Sequence, residues 1–361
     1  MRLHDTLASA SIIVTCGPGG IGKTTSAAAL GLALSECSDA RILVLTVDPA
    51  RRLADALGVS GIGNEPTPVG AKGNLSVAML DPQASWDALI RRQAPDVRTA
   101  ERILGNVLYH NITRRFVQSH DYIAMERLFE LVSTDNYDLI ILDTPPTRNA
   151  LDFLDAPGRM ADFFSSRFLK WLIAPSRSGV ATVAAKPLTY VADKILGAAF
   201  LADITEFFLL LNSMYDGFVE RARQVEALLQ RETTKFMVVS SAERIPVSEA
   251  SFFDSELRAR DLHVAAWLVN RLSPAILSSD LDEELLGVGM APDITTQGLA
   301  HSILGRALLE AHRIALDEAE VVAEIAAGPT PVFPGYAVEG SLDNLAGVAS
   351  FGHQLLDAEA F

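Results

Sequence analysis

Residues 17–25 read Gly17-Pro18-Gly19-Gly20-Ile21-Gly22-Lys23-Thr24-Thr25, and positions 17–24 satisfy the pattern G-x-x-x-x-G-K-[ST]. The chemistry this spacing serves is phosphate binding. Glycines let successive backbone N–H groups turn inward as a nest for an anion, at a helix start where the dipole also favours negative charge. Gly17, Gly19, Gly20, Ile21 and Gly22 are the candidate cradle, and Thr25 follows it into the helix. Lys23 is placed to reach the β- and γ-phosphates of a nucleotide, and the Thr24 hydroxyl to ligate Mg2+. Two carboxylates stand where such a site needs them. Asp143 ends the apolar run 139–142 and is the candidate Mg2+ carboxylate, acting through a bound water. Asp48 ends the run 42–47 and is the candidate catalytic group, orienting or deprotonating the attacking water.

Those residues must be held at one edge by strands. Short β-branched and leucine-rich runs alternate with long helical patterns, the sign of a parallel sheet wrapped by helices. Strands are expected at residues 11–15, 41–47, 75–80, 137–142, 235–240, 263–269 and 331–333. Several are apolar throughout, as strands buried on both faces should be. Ligands of such open sheets bind outside the carboxyl ends of the strands, which is where the loop and both aspartates fall. The expected fold is α/β: a doubly wound, mostly parallel sheet with an inserted helical subdomain. It is read as a single domain over residues 7–361, the subdomain coming from about 84–134 and 151–231.

The 361 residues carry 30 basic and 45 acidic side chains, a formal charge of −15. That balance argues against a non-specific nucleic-acid binder, which needs a basic footprint. The excess is local: residues 280–361 hold 14 acidic and 2 basic side chains, and the stretch reads as a solvated face. Cys16 and Cys37 are the only cysteines, too few for a disulfide framework or a four-thiolate zinc site, and both read as buried, inert thiols. With no secretory signal and no apolar run of spanning length, the chain is expected to be soluble and cytoplasmic.

Three segments together resemble the ArsA-like ATPases, whose phosphate loop is a deviant form of the Walker A motif. The family includes arsenite-pump ATPases and the ATPase that targets tail-anchored membrane proteins. The segments are the loop 17–25, Thr46-Val47-Asp48-Pro49-Ala50-Arg51-Arg52-Leu53, similar to the family's switch I, and Asp143-Thr144-Pro145-Pro146-Thr147-Arg148-Asn149, similar to its switch II. Val269-Asn270-Arg271 resembles the family segment that meets the adenine, and the likeness extends to Pro331-Val332-Phe333-Pro334 near the carboxyl end. The resemblance implies ATP and Mg2+ as cofactors. It gives Asp48 the attacking water, Asp143 the metal, and Asn270 with Arg271 the nucleotide base. It also implies switches that close on ATP in a face-to-face dimer.

The chain departs from the family at one position. The family's loop carries a lysine after the first glycine that crosses to the partner's nucleotide, and here that position is Pro18. A cation aimed at the transferring phosphoryl group is worth about 10³–10⁵ in rate in related enzymes. Arg51, Arg52 or Arg148 can substitute, or the partner is a lysine-bearing relative in a heterodimer, or the chain is a slow, regulatory nucleotide binder. Clustered thiols for arsenite are missing, as are the paired C-x-x-C motifs of a dimer zinc.

Eight of the 16 phenylalanines fall between Phe153 and Phe218. Phe200, Ile204, Phe208 and Leu211 recur at helical spacing, which suits either core packing or a groove for an apolar client. Residues 159–177 interleave four basic side chains with Phe163, Phe164, Phe168 and Trp171, which suits a peripheral contact with anionic lipid or an acidic partner. The sequence therefore reads as a Mg2+-dependent ATPase, slow in isolation, that couples dimer closure to an apolar or membrane-associated client. A nucleotide-binding regulatory subunit and the energising subunit of an anion pump are the alternatives.

Overall fold

Among the described residues of a computed structural model of the chain, seven of eight strands pair in parallel, in the order β3 (Thr67–Val69), β4 (Leu75–Met79), β2 (Ile42–Thr46), β5 (Leu139–Asp143), β1 (Ile12–Cys16), β6 (Thr234–Ser241), β7 (Val264–Leu272) and β8 (Val332–Tyr336). The structure describes residues 1–47, 52–59, 61–115, 117–145, 154–156, 158–159, 162, 204, 206–211, 213–274, 303–338, 342 and 344–361. The central strands are β1 (Ile12–Cys16), β2 (Ile42–Thr46), β5 (Leu139–Asp143), β6 (Thr234–Ser241) and β7 (Val264–Leu272). β1 and β2 are buried at every residue, which explains why they are aliphatic without alternation. β4 (Leu75–Met79) and β8 (Val332–Tyr336) flank them.

The sheet order bears out the expected α/β class, and each of the seven strands expected falls within a few residues of an observed one. The eighth, β3 (Thr67–Val69), is antiparallel to β4 and had no sequence signal. It is three residues long with Pro68 at its centre, and proline is tolerated at such an edge because no partner needs its N–H.

Both faces of the sheet carry helices. One face is covered by α2 (Lys23–Cys37), α3 (Arg52–Leu57) and the last helix, α11 (Leu345–Asp357), packed with Leu3 and Leu7 of α1 (Leu3–Leu7). α2 can lie close because its buried positions include Ala27, Ala28, Ala29 and Ala33. The opposite face receives α4 (Pro82–Gln93), α5 (Val97–Leu104), α6 (Val107–Arg115), α7 (Val117–Ser133), α8 (Tyr215–Leu229) and α9 (Arg244–Ala259). α10 (Ile303–Ala326) lies beside β7 and β8.

Within the phenylalanine-rich stretch, Phe207, Leu211, Met214 and Phe218 are buried in that second core. Phe208 packs against it. Trp86, Tyr122 and Phe218 stack mutually at centroid distances of 5.6–6.4 Å. Ile204 is helical and half-buried, while Phe200 and the aromatics 163–171 lie outside the described residues. Glu126 of α7, 1% exposed, is held by Arg221 of α8, with Arg92 of α4 at 3.8 Å, so a buried ion group ties three helices together. Among the described residues no helix is long and apolar enough to cross a membrane.

Candidate functional site

β1 delivers the chain to the carboxyl edge of the sheet, and the loop 17–22 turns it directly into α2, which begins at Lys23. The turn works because glycines stand where side chains cannot. A Cβ on Gly17 would lie 2.0 Å from the carbonyl oxygen of Val239 on β6. Gly22, the residue before α2, has a φ of +96°, and a Cβ there would lie 2.4 Å from the Asn270 side-chain nitrogen. Gly20 also takes positive φ, at +78°, while Gly19 and Gly20 are exposed and Thr25 is half-buried in the first turn of α2.

Lys23 is 7% exposed, and its ammonium donates to the carbonyls of Gly17 at 3.0 Å and Pro18 at 2.7 Å. The cation is therefore folded over its own loop and bonded to acceptors that an anion in the nest would replace. Pro18 is buried, and its carbonyl serves as one of those acceptors.

Thr24 and Asp143 meet as the sequence reading requires. The Thr24 hydroxyl donates to Asp143 Oδ2 at 2.7 Å, across 119 residues of sequence. A second hydroxyl, that of Thr46, donates to the same oxygen at 2.9 Å. Sequence reasoning missed Thr46. Its signal was a hydroxyl at the end of an otherwise aliphatic strand, but only the pairing register Thr46↔Asp143 brings the two side by side. Thr15 pairs with Asp143 from the other side, and the Thr144 hydroxyl donates to the Thr15 carbonyl at 2.8 Å, anchoring the residue that follows the aspartate. A carboxylate and two hydroxyls form a hard oxygen donor set, which fits Mg2+ and does not suit a soft ion.

Asn270 lies at the end of β7, 6% exposed, and its amide donates to the Ile21 carbonyl at 2.8 Å. The residue expected at the base is thus bonded to the phosphate loop. Arg271 beside it is exposed, with a φ of +63°. Asp48 follows Val47, whose N–H is bonded to the Asp143 carbonyl at 3.1 Å, but Asp48 itself lies outside the described residues. So do Arg51, Arg148 and the rest of switch II from residue 146; Arg52 opens α3, with its side chain outside the description.

The thiols divide. Cys16 is buried beside the loop, and burial pushes its thiol far above the ordinary range, so it is neutral and inert as expected. Cys37 is not buried: as the last residue of α2 it is exposed, with Sγ 3.9 Å from His353 Nδ1. The expectation rested on the usual burial of free cysteines, and it failed because Cys37 stands at the exposed carboxyl end of the helix. Among the described residues no group of histidine, cysteine and carboxylate side chains could hold a metal ion together.

Comparisons with known proteins converge on one family. The family model described as anion-transporting ATPase matches residues 10–282. A protein of Prosthecochloris vibrioformis, named for an arsenical pump-driving ATPase, is 27% identical over 289 residues, covering 77% of this chain and 65% of that protein. An "ATPase ASNA1 homolog" of Entamoeba dispar is 25% identical over 266 residues, covering 72% of this chain and 75% of that one. An "ATPase GET3" of Mycosarcoma maydis is 25% identical over 256 residues, covering 71% and 70%. This chain thus spans 65% of the length of the first of these relatives. With the loop, the strand order and the matched span all in agreement, the chain belongs to the anion-transporting ATPase family.

Proposed function

We propose that the chain hydrolyses ATP with Mg2+ and couples closure of a dimer on the nucleotide to the handling of an apolar or membrane-associated client. The observation that supports the chemistry is the Thr24–Asp143 contact at 2.7 Å, beside a loop whose lysine rests on replaceable carbonyl partners. In this reading Lys23 leaves Gly17 and Pro18 for the β- and γ-phosphates. Thr24 and Asp143 would hold Mg2+, whose charge would offset the negative charge of the transferring γ-phosphoryl group. Thr46 keeps the Asp143 carboxylate aimed. Asp48 orients the attacking water and takes its proton, a role that matters in the transition state and not in ground-state binding.

The test is that split. Asp48→Asn is expected to keep Mg·ATP binding within about threefold while phosphate release falls by about 100-fold or more. Equal loss of binding and turnover, measured by titration calorimetry beside a phosphate-release assay, would overturn the role of Asp48.

Pro18 shapes the partnership. Proline offers neither an N–H nor a charge, so this chain cannot send a cation from that position into a partner's site. A symmetric homodimer would lack the crossing lysine twice over. In a heterodimer with a lysine-bearing relative, the partner's lysine completes the site built from Lys23, Asp48 and Asp143, and that site is the faster of the two. Pro18 also favours a second reading, a regulatory subunit whose nucleotide switches its partner. Inactivating each aspartate of the pair separately decides between them: loss of most activity from the partner's mutation alone supports the regulatory role. A relative's name mentions an arsenical pump, but one buried and one exposed thiol give no soft site for arsenite here.

A further inference from the structure

β7 ends irregularly, next to the phosphate loop. Its pairing with β8 slips between Asn270 and Leu272, and Arg271 between them takes a φ of +63°, a conformation uncommon for a residue with a side chain. Bulges of this kind re-aim the neighbouring side chain. Here the beneficiary is Asn270. Its Oδ1 accepts from the Arg271 N–H at 2.9 Å, which fixes the amide so that its Nδ2 donates to the Ile21 carbonyl at 2.8 Å. The approach is possible only between glycines. A Cβ on Gly22 would lie 2.4 Å from Nδ2, and one on Gly335 of β8 would lie 3.0 Å from Oδ1.

We propose that Asn270 is a positioning residue for the phosphate loop, acting on phosphate binding through the Ile21 peptide, whatever it does at the base. In a trans peptide the Ile21 carbonyl and the Gly22 N–H point in opposite directions, so pinning the carbonyl fixes the direction of one loop donor. The bulge at Arg271 stores the backbone irregularity that this aim requires, and Gly22 and Gly335 leave the space. The proposal rests on the reading of the loop as an ATP site.

Inorganic tripolyphosphate, which has phosphates and no base, separates the clamp from a base contact. Wild-type chain, Asn270→Asp and Asn270→Ser are titrated calorimetrically with Mg·ATP and with tripolyphosphate, beside thermal unfolding of each. Asn270→Asp keeps the shape but sets a carboxylate oxygen against the Ile21 carbonyl. It is expected to weaken tripolyphosphate binding about tenfold or more, with some loss of stability from the buried charge. Asn270→Ser removes the amide without adding charge and is expected to weaken it in the same direction, so the comparison survives if the aspartate variant fails to fold. Unchanged tripolyphosphate affinity with weakened ATP binding would overturn the proposal and leave a base contact alone. Unchanged affinity for both would overturn it outright. A wild-type chain that binds neither probe would instead overturn the ATP reading on which the clamp rests.

Discussion

Thr46→Val exchanges one hydroxyl for a methyl group at the end of β2 and leaves the side-chain shape nearly unchanged. The hydroxyl lost is fully buried and donates at 2.9 Å to Asp143, itself 1% exposed. A hydrogen bond to a charged group contributes roughly 1.5–3 kcal/mol net, so the variant is expected to lose about 2 kcal/mol. With an unfolding entropy near 2.1 cal/mol/K per residue across 361 residues, that loss lowers the thermal midpoint by about 3 °C. The assay is calorimetric unfolding of the wild type, Thr46→Val, Asp143→Asn and the double variant, as a cycle. The two substitutions are expected to be strongly non-additive, because Thr46→Val removes the bond and Asp143→Asn removes the charge that strengthens it. Thr46→Val is also expected to raise the Mg2+ concentration that half-saturates ATP hydrolysis, since Asp143 is then aimed by Thr24 alone of the two hydroxyls. Strict additivity with an unchanged midpoint would refute the claim that Thr46 positions the metal carboxylate.

Pro18→Lys is expected to raise the turnover of the isolated chain by about tenfold or more through self-association, and phosphate release against chain concentration checks it. Arg221→Leu strips Glu126 of its closest cation and leaves a carboxylate that is 1% exposed, so about 3 kcal/mol of stability should be lost in urea titrations. The exposed Arg41–Asp138 pair gives a pH signature: the Arg41 guanidinium, through its side-chain hydrogen bonds, holds the Asp138 carboxyl down at about 2. Because the folded value is depressed, its stabilising effect is present above the ordinary carboxylate range and is lost as pH falls through about 2. The gap in urea midpoint between wild type and Arg41→Ala should therefore narrow from pH 7 to pH 3, and a constant gap would contradict the assignment.

What the sequence made legible was local. The loop 17–25 carries its whole instruction within nine residues, because glycine, lysine and threonine each act through the backbone turn they share. The aliphatic strands were legible for the same reason, since burial on both faces writes itself into consecutive residues. What remained hidden depends on register. Thr46 becomes functional only because β2 and β5 pair at Thr46↔Asp143, and no pattern within β2 announces that. Asn270 could be matched to a family segment, yet its bond to Ile21 spans 249 residues and depends on a bulge that the run Val269-Asn270-Arg271 does not display. β3 escaped because three residues around a proline carry too little periodicity to register as a strand. Cys37 escaped because residue type sets only an average tendency to burial, while exposure at a helix end is decided by what packs over the last turn.

Lys23 as the ATP-phosphate ligand is tested most directly by Mg·ATP titration of the wild type against Lys23→Ala. Lys23 is 7% exposed and already bonded to two loop carbonyls, so it is held at the mouth of the nest. The wild type is expected to bind with saturable heat, and Lys23→Ala to lose at least about 100-fold in affinity, because a charge-assisted contact to the phosphates is removed. A Lys23→Ala chain that remains folded and binds Mg·ATP as tightly as the wild type would contradict it.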